Sequence, residues 1–507
     1  MLLHGPRTCR RAFNSQHKML IITLNLFVAI FILIWAYFTI KTRHMARLAK
    51  KIPGPKQSPL WKKLLTSRQN SKSTGMFQNM VQISRKYEST FCFWKGYELF
   101  VFVQDVKHIA ALLSDSEEVG RPCIYKYWEP WLGSSLAIAE GQKWKIRRKL
   151  IAPEFRPSTL ESSVQTLNSS TENLLNRLAT FTGGPEFDVH PFMNLHAMDN
   201  VCETFMDAKI NAQQNSESEF VRAVNAASHA VHERSKTPLL HPDLLFRMSS
   251  LGRMQARNLA TLHARNKMAV EERKEQLLHT KDTKDRVPIM DVLIERSKDG
   301  RVSGDVDPAE EMNTVLIAGY KTTAAALSFA CWILSRHQDV QEKVLMEQKE
   351  IFGDSDRPAT YRDIQEMKYL EMVIKETIRL YPSIPVFGRK LQKDFNVGDF
   401  VIPAGANVMF LTYQIHRNPK YYPDPEKFDP DRFLPENMKG RSPYCYLAFS
   451  IGARNCVGIK YGMQAIKGTL SAMIRKFKIL PGSTPLSLDS MITLKSLTGM
   501  KVRLESR

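Results

Sequence analysis

The sequence predicts a mainly α-helical protein with a minor β-rich part, preceded by one N-terminal transmembrane helix. Three observations carry this expectation. An uncharged apolar run occupies residues 19–40, long amphipathic stretches of helical period cover roughly 160–180, 255–280, 309–337 and 364–381, and strand-like runs such as 98–103 (ELFVFV) and 398–402 (GDFVI) are short. Proline is dense between 382 and 435, which predicts an extended meander there. The 507 residues exceed the roughly 100–200 of a typical domain. No repeat of solenoid or propeller period and no low-complexity linker divides them, so 88–507 reads as one large unit. Charged, Gly-containing sequence at 296–307 separates two of its helices.

The apolar run MLIITLNLFVAIFILIWAYFTI has 22 positions without a charge. As a helix it spans about 33 Å, enough for a hydrocarbon core of roughly 30 Å. Trp35 and Tyr37 lie near one end, where interfacial aromatics are favoured. The apolar core of a cleaved signal peptide is shorter, about 7–15 residues. This run lacks a small-x-small cleavage pattern and ends in the basic stop KTRHMARLAKK, so it reads as a retained anchor. Residues 1–40 are thus an N-terminal segment with its span at 19–40. Residues 41–87, with the stiff Pro53-Gly54-Pro55 break, form a basic, proline-containing linker and a membrane-proximal entry to the fold.

The net charge of +21 raises the question of nucleic-acid binding. Sixteen of the 72 Lys and Arg fall in residues 1–87, before the first acid, Glu88, leaving 56 bases against 51 acids beyond it. The excess therefore belongs to the anchor region, where it suits anionic headgroups, and no nucleic-acid-binding motif accompanies it. The seven cysteines are scattered and form no Cys-x-x-Cys pair, which argues against a disulfide framework and for a reduced, cytosol-facing domain.

A lone cysteine is usually a small buried hydrophobe, but Cys456 has unusual neighbours in Phe449-Ser-Ile-Gly-Ala-Arg-Asn-Cys-Val-Gly458. Gly452 and Gly458 permit tight turns and close backbone approach. Peptide N–H groups after Cys456, and the start of a helix expected at 459–477, favour negative charge on the sulfur. This segment resembles the haem-binding loop of the cytochrome P450 family, Phe-x-x-Gly-x-Arg-x-Cys-x-Gly, with each fixed position filled. The resemblance implies the cytochrome P450 fold, haem b as cofactor, Cys456 as axial ligand to its iron, and Arg454 as partner of a haem propionate. A thiolate ligand pushes electron density towards the iron.

Further segments resemble the same family. Glu376-Thr-Ile-Arg379 and Pro430-Asp-Arg432-Phe433 match the segments that supply a buried structural network of Glu376, Arg379 and Arg432. Trp144-Lys-Ile-Arg-Arg148 matches a helix whose Trp and Arg share one face, so Trp144 and Arg148 are expected at a propionate. Arg389, ten residues past Arg379, is expected at another. Leu316-Ile-Ala-Gly-Tyr-Lys-Thr-Thr-Ala324 resembles the oxygen-side helix. A mid-helix Gly319 costs about 1 kcal/mol against Ala, which implies a close approach there. The Thr322 hydroxyl can bond the Ala318 carbonyl, bend the helix and steer protons towards dioxygen. Lys321 departs from the pattern, since the family places an acid there.

With Pro130-Trp-Leu-Gly133 and His416-Arg-Asn-Pro419 added, the resemblance covers most of 88–505 and points to the microsomal animal branch that contains fatty-acid ω-hydroxylases. It implies a monooxygenase that inserts one oxygen atom of dioxygen into an apolar substrate: a fatty acid, a hormone-like lipid or a foreign compound. NADPH-cytochrome P450 reductase is the expected electron donor, with cytochrome b5 as a further partner. Lys143, Lys145, Arg147 and Lys149 are candidate docking cations. Phe205, Phe220, Leu244, Phe246 and Leu497 are candidate pocket residues. The expected location is the endoplasmic reticulum membrane, with a single-pass anchor and a cytosolic catalytic domain. Some members of this branch bind haem covalently through a Glu just before the oxygen-side Gly; Ala318 stands there instead, which implies extractable haem. Two other readings remain open: a lipid-hydroperoxide isomerase or dehydratase of the same fold that needs no reductase, and a non-catalytic haem-binding membrane protein.

Overall fold

The helix that carries the apolar run continues past the last residue of that run. In the computed structural model, which describes residues 7–55, 75–87, 89–114, 120–279, 288–298 and 306–507, one helix covers Arg7–Ala49. Its window from Ile21 onwards has a mean hydropathy of 2.4 and is not buried in the protein at all, whereas Ala49 and Ile52 are buried. Phe38 stacks on Tyr97 with ring centroids 4.6 Å apart, and His44 Nε2 lies 2.9 Å from Asp394 Oδ2. The segment just past the span is therefore docked on the domain. Pro53 continues this junction by accepting the Cys92 N–H at 2.8 Å, and a Cβ on Gly54 would collide with the Cys92 carbonyl. The rest of the expected linker, 56–74, lies outside the described residues, as do Glu88 and residues 299–305 of the charged 296–307 stretch.

The β-rich part is built around a four-stranded mixed sheet in the order Thr90–Lys95, Glu98–Val103, Asn407–Phe410, Phe387–Lys390. The first two strands pair as an antiparallel hairpin, the second runs parallel to the third, and the fourth pairs antiparallel with the third. A bridge from Gly120 to Lys390 extends this edge, so residues 270 positions apart become neighbours. A second sheet pairs Lys501–Ser506 with Phe477–Pro481 and Phe187–Asp188, and a separate hairpin joins Leu488–Ser490 to Leu494–Ser496.

Helices make up most of the body. The Pro308–Arg336 helix is apolar enough to cross a membrane by composition, yet 72% of its apolar window is buried, so it is the core helix. Asp307 caps it by accepting the Ala309 N–H at 2.8 Å, with Glu310 and Glu311 in the first turn, where carboxylates oppose the helix dipole favourably. The expected 364–381 helix divides at Met367 into Tyr361–Glu366 and Lys368–Leu380. The first piece is closed by a reciprocal capping box between Thr360 and Asp363, and Met367 leaves helical geometry at ψ 75°. The Ile459–Lys476 helix opens just after the Cys456 loop, as expected.

One candidate docking cation is removed by the fold. Lys143, Lys145 and Lys149 are exposed on the Gly141–Ile151 helix, but Arg147 is 2% exposed and its Nε lies 3.1 Å from Glu311 Oε1. The basic run hides a 3.6-residue period: Trp144, Arg147 and Ile151 form its inner face. Glu311 also accepts the Leu136 N–H, while Ser135 and Thr314 share a hydroxyl bond of 2.5 Å and Trp131 Nε1 donates to Asn313. These contacts strap the 131–136 segment to the core helix. Replacing Arg147 by Ala strands a buried carboxylate and should cost about 3–5 kcal/mol of unfolding free energy. Urea denaturation should show that Glu311→Gln in the same chain recovers part of that loss; an additive loss would contradict the pairing.

Candidate functional site

The Cys456 loop is shaped by its own backbone. Cys456 N–H donates to the Phe449 carbonyl at 2.9 Å and Asn455 N–H to the Gly452 carbonyl at 3.1 Å. Ser450 and Gly452 take positive φ, 56° and 79°. A Cβ on Gly452 would collide with the Leu113 carbonyl, so both its conformation and its neighbour demand glycine. Gly458 differs from expectation: its φ is −90° and a Cβ would meet only the Phe155 ring at 3.4 Å. Its contribution is the peptide N–H, which donates to the Cys456 sulfur.

Cys456 lies deep in the fold yet keeps accessible surface, unlike the fully buried Cys202, Cys331 and Cys445. It thus opens on an internal space. Burial raises its thiol pKa, while the Gly458 N–H and the Arg148 charge pull it back. Arg148 is held in place by Asn455, donating from Nη1 to its carbonyl at 2.8 Å and from Nη2 to its Oδ1 at 2.6 Å. Arg148 therefore sits beside the sulfur, whereas Trp144, one turn earlier, packs its ring 4.3 Å from the Arg454 guanidinium. The shared face expected of this pair exists, but its two ends grip two different residues of the loop.

Three guanidiniums converge above the loop. Arg454 is buried and donates to the Ala139 carbonyl at 2.7 Å; burial, then Arg121 and Arg389, pull it down to about 8. Arg389, placed by the Phe387–Lys390 strand, donates to Ser450 Oγ at 3.3 Å and is pulled down to about 10 by burial and by Arg121. A guanidinium keeps its proton in almost any protein setting, so such crowding calls for anions. Glu140 is the nearby acid, and it already accepts the Arg121 backbone N–H. The two propionates of haem b suit this cradle, and an accessible thiol beside it suits the iron. Arg121 was not legible in the sequence: Gly120-Arg121-Pro122 is no motif, and only the bridge to Lys390 carries it to Arg389.

On the Pro308–Arg336 helix, Thr322 Oγ1 donates to the Ala318 carbonyl at 2.7 Å, the bond its spacing predicts. Ser383 Oγ donates to the Thr322 carbonyl at 2.8 Å, tying the turn after the Lys368–Leu380 helix to this point. Ala318 keeps accessible surface. Gly319 does meet a close approach, and the neighbour is Val201 of the His190–Met206 helix, 2.7 Å from where a Cβ would stand. Among the expected pocket residues, Phe205 packs against Phe155 and Tyr461, Phe220 is core, and Phe246 lies beneath Arg234. Leu244 and Leu497 are 71% and 59% exposed. The sequence recognised apolar residues there without separating core from surface.

Glu376, Arg379 and Arg432 come together. Arg379 donates from Nε and Nη2 to Glu376 at 2.6 and 2.8 Å, both residues fully buried, and Arg432 Nε stands 3.5 Å from Glu376 Oε1. Arg379 also binds the carbonyls of His416, Pro425 and Lys427, and Glu376 accepts the Asp429 N–H. His416, which the motifs gave no role, accepts the Leu447 N–H on Nε2 at 2.7 Å and faces the Arg379 carbonyl with Nδ1 at 3.2 Å. Burial lowers it to about 3, so it is neutral and links the network to the start of the Cys456 loop.

Comparison with known proteins agrees with this geometry. The family model described as Cytochrome P450 matches residues 52–501. Among curated relatives, "Cytochrome P450 4c3" of Drosophila melanogaster is 32% identical over 96% of this chain and 95% of its own. "Cytochrome P450 4V2" of Homo sapiens is 34% identical over 85% of each chain. A solved structure, "Crystal structure of cytochrome P450DA heme domain", superposes with a TM-score of 0.78 at 20% identity, covering 90% of this chain and 98% of that one. The chain belongs to the cytochrome P450 family, and its curated relatives carry the family-4 designation. It is accordingly a cytochrome P450 monooxygenase that uses haem b.

With Ala318 before Gly319, no carboxylate at that position is available to esterify the porphyrin. Acid–acetone treatment of the holoenzyme should remove the haem completely; haem left on the polypeptide would contradict this.

Proposed function

We propose that the chain is a membrane-anchored monooxygenase of apolar substrates in which Cys456 ligates the haem iron. The observation that carries this reading is an accessible cysteine inside the fold, flanked by a donor N–H, a guanidinium and a helix start. Haem, when bound, supplies the dioxygen chemistry. Arg121, Arg389 and Arg454 seat its propionates, with Trp144 holding the Arg454 plane. Arg148, anchored on Asn455, keeps positive charge beside the sulfur. Phe449, Gly452 and Gly458 set the loop, and Glu376, Arg379 and Arg432 lock the meander behind it. Thr322 rests its proton on the Ala318 carbonyl and can turn it towards the cavity, while Gly319 lets that stretch of helix sit close against its neighbour.

Electrons are proposed to come from NADPH-cytochrome P450 reductase, with cytochrome b5 as a second donor, docking where Lys143, Lys145 and Lys149 are exposed. The proposed substrates are fatty acids, hormone-like lipids or foreign compounds. The proposed location is the endoplasmic reticulum membrane, with the body facing the cytosol. The test is reconstituted turnover with isotopically heavy dioxygen. The reading expects NADPH- and reductase-dependent product carrying one heavy oxygen atom. Conversion of a lipid hydroperoxide without reductase would instead select the isomerase or dehydratase, a reading that Lys321 leaves open because it stands where the family places an acid.

A cation cannot take over a carboxylate's part in moving protons. With a neutral apolar substrate, the native enzyme should release more hydrogen peroxide per product than Lys321→Asp. An unchanged ratio would remove Lys321 from the account of coupling.

A further inference from the structure

The C-terminal end of the Pro308–Arg336 helix opens on a cavity of about 560 Å³ that is lined by none of the residues placed at the haem. Sites for small molecules are of this size, about 300–1,000 Å³. Trp332, on its wall, stands ten residues beyond Thr322, about 15 Å along the helix axis. Tyr381, just past the Lys368–Leu380 helix, lies edge-on to Trp332 with ring centroids 5.8 Å apart, and Phe329 backs it in a parallel stack at 4.7 Å. Tyr413 lines the cavity as a further ring, and Pro485, Leu486 and Leu488 add an apolar side.

The polar groups of this wall are set for an acceptor. Arg336 lies over Trp332 with its guanidinium carbon 3.9 Å from the ring centre. Its Nη1 donates to the Trp332 carbonyl at 3.2 Å and to Ser335 Oγ at 3.0 Å, and its Nη2 to the Gly482 carbonyl at 3.0 Å. All three acceptors are neutral, and among the described residues Nε donates to none and no carboxylate pairs with the guanidinium. Glu426, the acid on the cavity wall, is already gripped by Arg417, whose Nε reaches both its oxygens at 3.1 Å. The positive charge of Arg336 is therefore left over. The hydroxyls of Tyr381 and Tyr413 have no hydrogen-bond partner among the described residues and are not sealed from the cavity. Burial raises Tyr381 to about 12, so its hydroxyl keeps its proton and can donate. Polar groups this far inside a fold are usually paired.

We infer that this cavity is a second binding site, separate from the haem pocket, for a small aromatic carboxylate held by Arg336 and the two tyrosines. The Nε–Nη2 edge of a guanidinium grips a carboxylate through two parallel bonds, and on Arg336 that edge keeps donors to spare. The Tyr381 hydroxyl supplies a further donor. The body of the ligand packs against the tyrosine rings, where a flat ring gains from edge and offset contacts, and against Pro485 and Leu486. A bare inorganic anion would leave that surface unused, and a neutral ring would leave Arg336 without a counter-charge. Occupation braces the end of the core helix against the 482–488 segment. The inference does not depend on the chemistry at the iron.

The experiment is calorimetric titration of the holoenzyme with 1-naphthoate and with the neutral 1-naphthalenemethanol, while imidazole occupies the iron. Native protein should bind one equivalent of naphthoate, more tightly than the alcohol, and the absorption band of the imidazole complex should not move. Arg336→Gln should weaken naphthoate by roughly tenfold to a hundredfold, the weight of a charge-assisted hydrogen bond, and leave the alcohol unchanged. Tyr381→Phe, which keeps the ring and removes only the hydroxyl, should weaken naphthoate by about threefold to tenfold. The inference is overturned by no binding of naphthoate, by equal binding of acid and alcohol, by an unchanged affinity in Arg336→Gln, or by displacement of imidazole, which would put the probe at the haem. Should Arg336→Gln fail to give the wild-type carbon monoxide spectrum, Tyr381→Phe decides alone, and an unchanged affinity there overturns the inference.

Discussion

Burial pushes the Cys456 thiol towards its neutral form, and the surrounding structure is arranged against that push. The Gly458 N–H, the Arg148 guanidinium and the start of the Ile459–Lys476 helix all favour negative charge at the sulfur. Each depends on something further out. Arg148 is aimed by Asn455, the loop is pressed onto Leu113 through Gly452, and its entry at Leu447 hangs from His416. His416 in turn meets Arg379, whose partner Glu376 gathers the meander. Buried polar contacts thus run from the start of the Cys456 loop at Leu447 to the Lys368–Leu380 helix. Such a network is valuable only when every member is satisfied, which explains why Glu376 and Arg379 are sealed from solvent.

The other half of the site follows a different principle. Arg121, Arg389 and Arg454 repel one another, and the proposed seat for the two haem propionates sets a dianion among them. Repulsion in the protein alone becomes attraction in the complex, so cofactor binding should stabilise the fold through linkage.

Legibility in the sequence followed the range of the contact. The Cys456 loop, the Thr322–Ala318 bond and the Glu376–Arg379 pair are local in sequence, so their spacing exposes them. Arg432 was legible because the proline-rich meander has a recognisable pattern. Arg121 and His416 were not, since each gains its place from a partner far along the chain, through the Gly120–Lys390 bridge or across the network. Arg147 was misread for another reason. In the run KWKIRRK, charge suggests a solvated face, while helical phase turns every third or fourth residue inward, and only the acid at Glu311 reveals which cation is buried. Phe205 shows the converse limit: an aromatic side chain in the right region can serve core or pocket equally well.

The most direct test of the central claim is the absorption spectrum of reduced, carbon monoxide-bound protein, native against Cys456→Ala. The account predicts the strongly red-shifted band of a thiolate-ligated haem in the native protein and its loss in the variant. A native band that survives removal of the thiol, or a fully folded native protein that binds no porphyrin, would contradict it.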